Sequence, residues 1–204
     1  MKSTAIPYQA VALILFMGQL VRLPARENKS FDGRWWGRVS KAQKSAWVDG
    51  YGDCHIYDKG QRNDFAGTRM PMLVDKISDY YRKQHEHGER DLSLVVLEQA
   101  RSMHVPETPG GEVYSNPHGF YLGDYFRGLL EPGAREAFVQ GYLACYATVE
   151  HPKARFSNPA RWYTDQISQW FGLNEQDESK IDDKRANIPI ADALFEFRDG
   201  AGKK

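Results

Sequence analysis

Apolar and small residues recur at helical spacing in six stretches of this chain, and an alternating strand pattern persists nowhere. Ala46, Trp47, Gly50, Tyr51 and Cys54 share one face of a helix that Ser40 is placed to cap and that runs to about Tyr57. Thr68 is placed to cap a second helix, reaching about His85, whose buried face holds Leu73, Ile77, Tyr80 and Tyr81. Gly88 breaks that helix, and Asp91 opens a third to about Met103. The plan then returns. A helix is expected from about Gly133 to Val149, and a second with Asn158 as cap and Pro159 at its first position, to about Phe171. Ile188 to Arg198 forms the last. Asp58 to Gly67 reads as a turn-rich loop, and Val105 to Gly119, rich in Pro and Gly, as a linker between the two sets. The predicted fold class is all-α.

The two sets resemble each other in sequence. At an offset of 91, Gly37/Gly128, Ala46/Ala137, Val48/Val139, Gly50/Gly141, Tyr51/Tyr142 and Cys54/Cys145 are identical. Aromatics also face aromatics, Trp35 with Phe126 and Trp47 with Phe138. Leu73–Tyr81 aligns with Tyr163–Phe171 at an offset of 90, where Asp75/Asp165, Ile77/Ile167 and Ser78/Ser168 coincide. Leu92–Glu98 aligns with Ile190–Glu196 at an offset of 98, the jump falling in a longer polar loop, Asn174 to Asn187. Length change confined to loops between matching blocks is what a duplication leaves behind. A period near 90 is too long for a solenoid. The expected architecture is therefore two tandem copies of a three-helix unit, packed as a pseudo-twofold bundle. Residues 31–104 are the first copy, 105–119 the linker and 120–204 the second copy.

Residues 1–30 differ from the rest. Lys2 precedes a largely apolar stretch from Ala5 to Leu23, densest over Ala10–Met17, which is the pattern of a secretory signal peptide. Gln9, Gln19 and Arg22 interrupt or border it, so it falls short of a membrane span, and no span is expected in the mature chain. The alternative is an ordinary buried first helix. Export places the protein in the periplasm or outside the cell; without it the chain is cytoplasmic.

The cysteines bear on that choice. Each stands four residues after the glycine of a Gly-Tyr pair, so Gly50 with Cys54 and Gly141 with Cys145 form small-residue stripes on single helix faces. Glycine inside a helix costs about 1 kcal/mol relative to alanine, so its presence in both copies points to close helix approach through Gly50, Tyr51, Gly141 and Tyr142. Stripes facing each other across a pseudo-twofold axis would bring Cys54 and Cys145 within reach of a disulfide in an oxidising compartment. Two buried free thiols are the other reading.

Composition excludes some partners. The 204 residues carry 27 basic and 27 acidic side chains, a formal net charge of zero, with no basic cluster to attract nucleic acid or an anionic membrane. Aromatics reach 13% and occur in doublets such as Trp35-Trp36, Tyr80-Tyr81 and Trp162-Tyr163, which serve either as core contacts or as a binding face.

Candidate chemistry is sparse. His85 and His87 sit at a helix end without Cys or His partners at zinc-like spacing, so no metal or other cofactor is expected. Asp49 and Asp53 share a helix face at i, i+4 and read as a solvated polar face, with acid–base work the alternative. His55 adjoins Cys54, but neighbouring helical residues point about 100° apart and do not form a thiol–imidazole pair. A hydrolase would have to use Asp53, His55 and Asp58.

The pieces Trp47-Val-Asp-Gly50-Tyr51, Leu73–Tyr81 and Leu92–Ala100, repeated as Phe138-Val-Gln-Gly141-Tyr142, Tyr163–Phe171 and Ile190–Phe197, resemble the helical domain of bacterial type VI secretion amidase immunity proteins (the Rap/Tai group). The resemblance spans most of residues 35–198, twice over. It implies a small, exported, all-α protein that acts by binding a toxin and not by catalysis. The expected function is thus that of a non-catalytic binding protein, an immunity-type inhibitor occluding a cell-wall-degrading enzyme of the amidase type. A helical domain of purely structural role is the alternative. The expected state is a monomer or a homodimer. The loop Asn174–Asn187, with Glu175, Asp177, Glu178, Asp182 and Asp183, is the candidate partner-binding element, its carboxylates suited to a basic cleft. Asp58–Gly67 is a second candidate loop.

Overall fold

The computed structural model of the chain describes residues 31–59, 65, 68–83, 88–103, 121–148, 156–173 and 185–199. All of them belong to one compact unit, Phe31–Lys204. The described residues are helical, with no strand beyond two isolated bridges, Asp32 to Asp91 and Leu122 to Pro189. The elements in order are α1 (Gly33–Arg38), α2 (Lys41–Lys59), α3 (Met70–Lys83), α4 (Leu92–Met103), α5 (Gly123–Gly128), α6 (Ala134–Thr148), α7 (Ala160–Trp170) and α8 (Ile190–Glu196). The all-α expectation is met.

Two helices beyond the six expected are present among the described residues, α1 ahead of α2 and α5 ahead of α6. Both are six residues long, too short for apolar periodicity to show. Asp32 caps α1, its Oδ1 accepting from the backbone N–H groups of Arg34 (2.9 Å) and Trp35 (3.0 Å). At α5 the cap residue Leu122 offers no side chain for this. The carbonyls of Ile188 and Ala186 instead take the N–H groups of Gly123 and Asp124. A second correction concerns pairing. Trp36 is the counterpart of Phe126, both buried at the same place in α1 and α5, and Trp35 corresponds to Tyr125.

The longer helices start and stop for identifiable reasons. Ser40 and Gln43 form a capping box at α2: Ser40 Oγ accepts from Gln43 N–H at 3.1 Å, and Gln43 Oε1 accepts from Ser40 N–H at 3.0 Å. Thr68 does not cap α3. That helix starts at Met70, with the Arg69 carbonyl accepting from Leu73 N–H, and the buried Thr68 hydroxyl caps nothing. Asp91 opens α4 as expected, accepting from Ser93 N–H at 2.9 Å. At α7 the cap is Pro159, not Asn158. This helix closes in a Schellman motif: Gly172, at φ +78°, gives its N–H to Gln169, Leu173 gives its N–H to Ser168, and Leu173 is buried.

Layering follows from which faces are apolar. Every residue of α2 from Ala46 to His55 is buried, so α2 is surrounded and forms the centre of this unit. Its most extensive partner is α6, which buries Ala137, Phe138, Val139, Gly141, Tyr142 and Cys145. Amphipathic α3 and α7 pack outside this pair, backed by α4 and α8. Equivalent hydrogen bonds recur in the two halves: Leu92 N–H to the Phe31 carbonyl (2.7 Å), and Ile190 N–H to the Tyr121 carbonyl (2.9 Å).

The α2–α6 crossing is nearly backbone on backbone. A Cβ added at Gly50 would lie 2.0 Å from the Phe138 carbonyl oxygen, and one at Gly141 would meet the Trp47 carbonyl oxygen in the same way. These contacts exchange under the 91-residue offset, since Trp47 and Phe138 are themselves counterparts. One turn further along each helix, Cys54 and Cys145 form a buried disulfide, with Cα atoms 6.0 Å apart. The glycines let the helices approach closely enough for this bridge.

Candidate functional site

The polar residues that the fold draws together lie on the face of α2 turned towards α5. Asp49 and Asp53, expected on a solvated face, are both buried, Asp53 to 0% exposure. That expectation fails because α2 is enclosed along the turns that carry them. A buried carboxylate requires donors, and they come from far along the chain. Tyr121 donates its hydroxyl to Asp49 Oδ1 at 2.8 Å, and Tyr125 donates to Asp49 Oδ2 at 2.5 Å. The backbone N–H of Tyr121 donates to Asp53 Oδ1 at 3.2 Å.

The tyrosine rings pack against each other and against Phe138 in tilted and edge-on contacts. Tyr121 and Tyr125 lie with ring centroids 4.3 Å apart and both meet Phe138, at 5.7 and 5.9 Å. Phe31, Trp35 and Trp47 form the matching triad in the first half, with centroids 5.1 to 6.2 Å apart. Each triad combines an aromatic before a short helix, one within it, and one on the central helix of the same half.

Electrostatics set the protonation pattern. Burial raises the Asp49 carboxyl above its ordinary value, although the hydrogen bonds from Tyr125 and Tyr121 pull the other way. Burial first, and then the facing Asp49 charge, push both tyrosine hydroxyls far above the ordinary phenol range, so they remain protonated donors. With both oxygens engaged, Asp49 ties α5 and the segment before it to α2. This arrangement does structural work.

Of the three residues weighed for a hydrolase, Asp53 and His55 are described, and they meet different partners. Asp53 faces Tyr121, whereas His55, two positions on, packs edge-on to Phe65 at 5.4 Å and Tyr51 at 6.5 Å. The Asp58 side chain lies outside the described residues, as do His85, His87, Glu175, Asp177, Glu178, Asp182 and Asp183. Of the Asp58–Gly67 loop, the described Phe65 is buried against the core. Tyr51 and Tyr142 are both buried, and Tyr51 stacks on Trp47 at 5.3 Å with its hydroxyl pushed up to about 12 by burial. Among the described residues no group of three His, Cys, Asp or Glu is placed to hold a metal ion. No helix among them is long and apolar enough to cross a membrane.

The Asp49 tie was invisible in the sequence because its donors stand 72 and 76 residues away. One signal bears on it: the second half carries Gln140 and Ala144 where the first carries Asp49 and Asp53. Compared with known proteins, the chain matches no family model, no curated protein and no solved structure.

Proposed function

We propose that this chain is an exported, non-catalytic helical binding protein, an immunity-type inhibitor whose partner is a cell-wall-degrading enzyme of the amidase type. The observation that carries the reading is the buried Cys54–Cys145 disulfide across the central helix pair, a bond that persists in oxidising compartments such as the periplasm. The partner class comes from the resemblance of the two Gly-Tyr helices and the helices after them to amidase immunity domains. The reading also takes the halves as tandem copies about a pseudo-twofold axis, supported by the reciprocal contacts of Gly50 and Gly141.

The test is to recover the protein from the cell envelope of its host under non-reducing conditions and to assay the co-purifying fraction for peptidoglycan amidase activity. The expected result is an amidase that the added pure protein inhibits in proportion to its concentration. Residence in the cytosol, or an envelope pool that inhibits no amidase, overturns the proposal.

A further inference from the structure

The two halves present different chemistry to each other at equivalent places. Asp49 precedes Gly50, which rests on the Phe138 carbonyl, and reaches Tyr121 and Tyr125, the aromatic partners of Phe138. Gln140 precedes Gly141, which rests on the Trp47 carbonyl, and is thus the counterpart of Asp49, as Phe31 and Trp35, the aromatic partners of Trp47, are the counterparts of Tyr121 and Tyr125. Gln140 spends its amide on Glu136, one turn back on its own helix, at 3.0 Å. One side of the crossing therefore pairs a carboxylate with two hydroxyls. At the equivalent positions the other side carries a neutral amide in place of the carboxylate, and in place of the two phenols Phe31, whose side chain has no donor, and Trp35, with a single indole N–H.

We infer that Asp49, Tyr121 and Tyr125 form a pairing code that makes the first half accept the second and disfavours pairing with a second copy of itself. Were two first halves to cross through their glycines, each Asp49 would face Phe31 and Trp35 and lose both hydroxyl donors. A buried charge that exchanges two hydroxyl donors for at most one indole N–H is a repulsive element. Were two second halves to cross, Tyr121 and Tyr125 would face the longer, neutral Gln140 and lose their charged acceptor. The backbone crossing and the positions of the cysteines are shared by both halves and discriminate nothing. Selection then falls to the acid and its two phenols, in the way that single buried polar groups specify partners in helical assemblies.

Each mismatched pairing can be recreated inside the full chain. Tyr121→Phe with Tyr125→Trp sets the first half's own aromatics before Asp49; Asp49→Gln sets the second half's amide before the tyrosines. Combining all three recreates the arrangement at Gln140. Folding equilibrium constants from urea titration, with the disulfide intact, complete the cycle. Asp49→Gln is expected to lower the constant about ten-fold or more in the natural background. In the Tyr121→Phe/Tyr125→Trp background the same substitution is expected to raise it. This change of sign would not arise from lost packing alone. If the added indole prevents folding, the isosteric Tyr121→Phe/Tyr125→Phe background replaces it, with the same reversal expected. An effect of Asp49→Gln that is equal in both backgrounds overturns the code.

Discussion

Replacing Gly50 with alanine places a methyl group against the Phe138 carbonyl. In an exposed helix this exchange stabilises by about 1 kcal/mol. Here the new Cβ starts 2.0 Å from a backbone oxygen that belongs to another helix and has no rotamer to yield. Carbon and oxygen settle at about 3.3 Å even in close Cα–H···O contacts, so α2 and α6 must part by about 1.3 Å. That separation loosens the interface on which ten consecutive buried residues of α2, Ala46 to His55, depend. Overpacking of this kind costs about 1–3 kcal/mol, and an immovable backbone neighbour puts this case at or beyond the upper end. After the helix-propensity gain, the net loss expected is roughly 2 kcal/mol. Urea denaturation followed by circular dichroism, without reductant, measures it. Gly141→Ala, which meets the Trp47 carbonyl, should lose a similar amount. An increase in stability for either variant would refute the close crossing.

Three further outcomes follow from the same structure. Cys54→Ser with Cys145→Ser opens a cross-link 91 residues long and should cost roughly 3–5 kcal/mol in the chain-entropy treatment, read as a drop in urea midpoint that reductant reproduces in the natural chain. Burial raises the folded-state value of Asp49 above its unfolded one, so the folded protein binds the extra proton, and this contribution is full below the unfolded value of about 4 and lost as pH rises through the folded value. Asp49→Asn should therefore flatten the fall in urea midpoint with rising pH, and an unchanged pH profile would contradict the assignment. Ser40→Ala removes one arm of the capping box and should cost about 1 kcal/mol, with amide exchange rising at Gln43, whose N–H bonds to Ser40 Oγ.

Much of the fold was legible because its causes are local. The Gly-x-x-x-Cys stripes at Gly50–Cys54 and Gly141–Cys145 encode both the close crossing and the site of the disulfide, since residues one turn apart share a face. Ser40 and Asp91 marked helix starts because their side chains reach N–H groups only two or three residues ahead. Thr68 carried the same signal and misled, because α3 begins at Met70 and the Thr68 hydroxyl reaches none of its N–H groups. The helices α1 and α5 escaped notice at six residues each, although Asp32 ahead of Gly33 was a cap in plain view. The Asp49 site depends on side chains that meet only once α5 has docked on α2. An i, i+4 pair of acids predicts a solvated face by default, and only the enclosure of α2 on every side reverses that default.

The central claim is an exported protein whose two halves are locked by a bond between Cys54 and Cys145. Its most direct test is the intact mass of the protein taken from its host, after thiol alkylation with and without prior reduction. The account predicts no alkyl group added before reduction and two added after it, one at each of the two cysteines. Two groups added without reductant would contradict it.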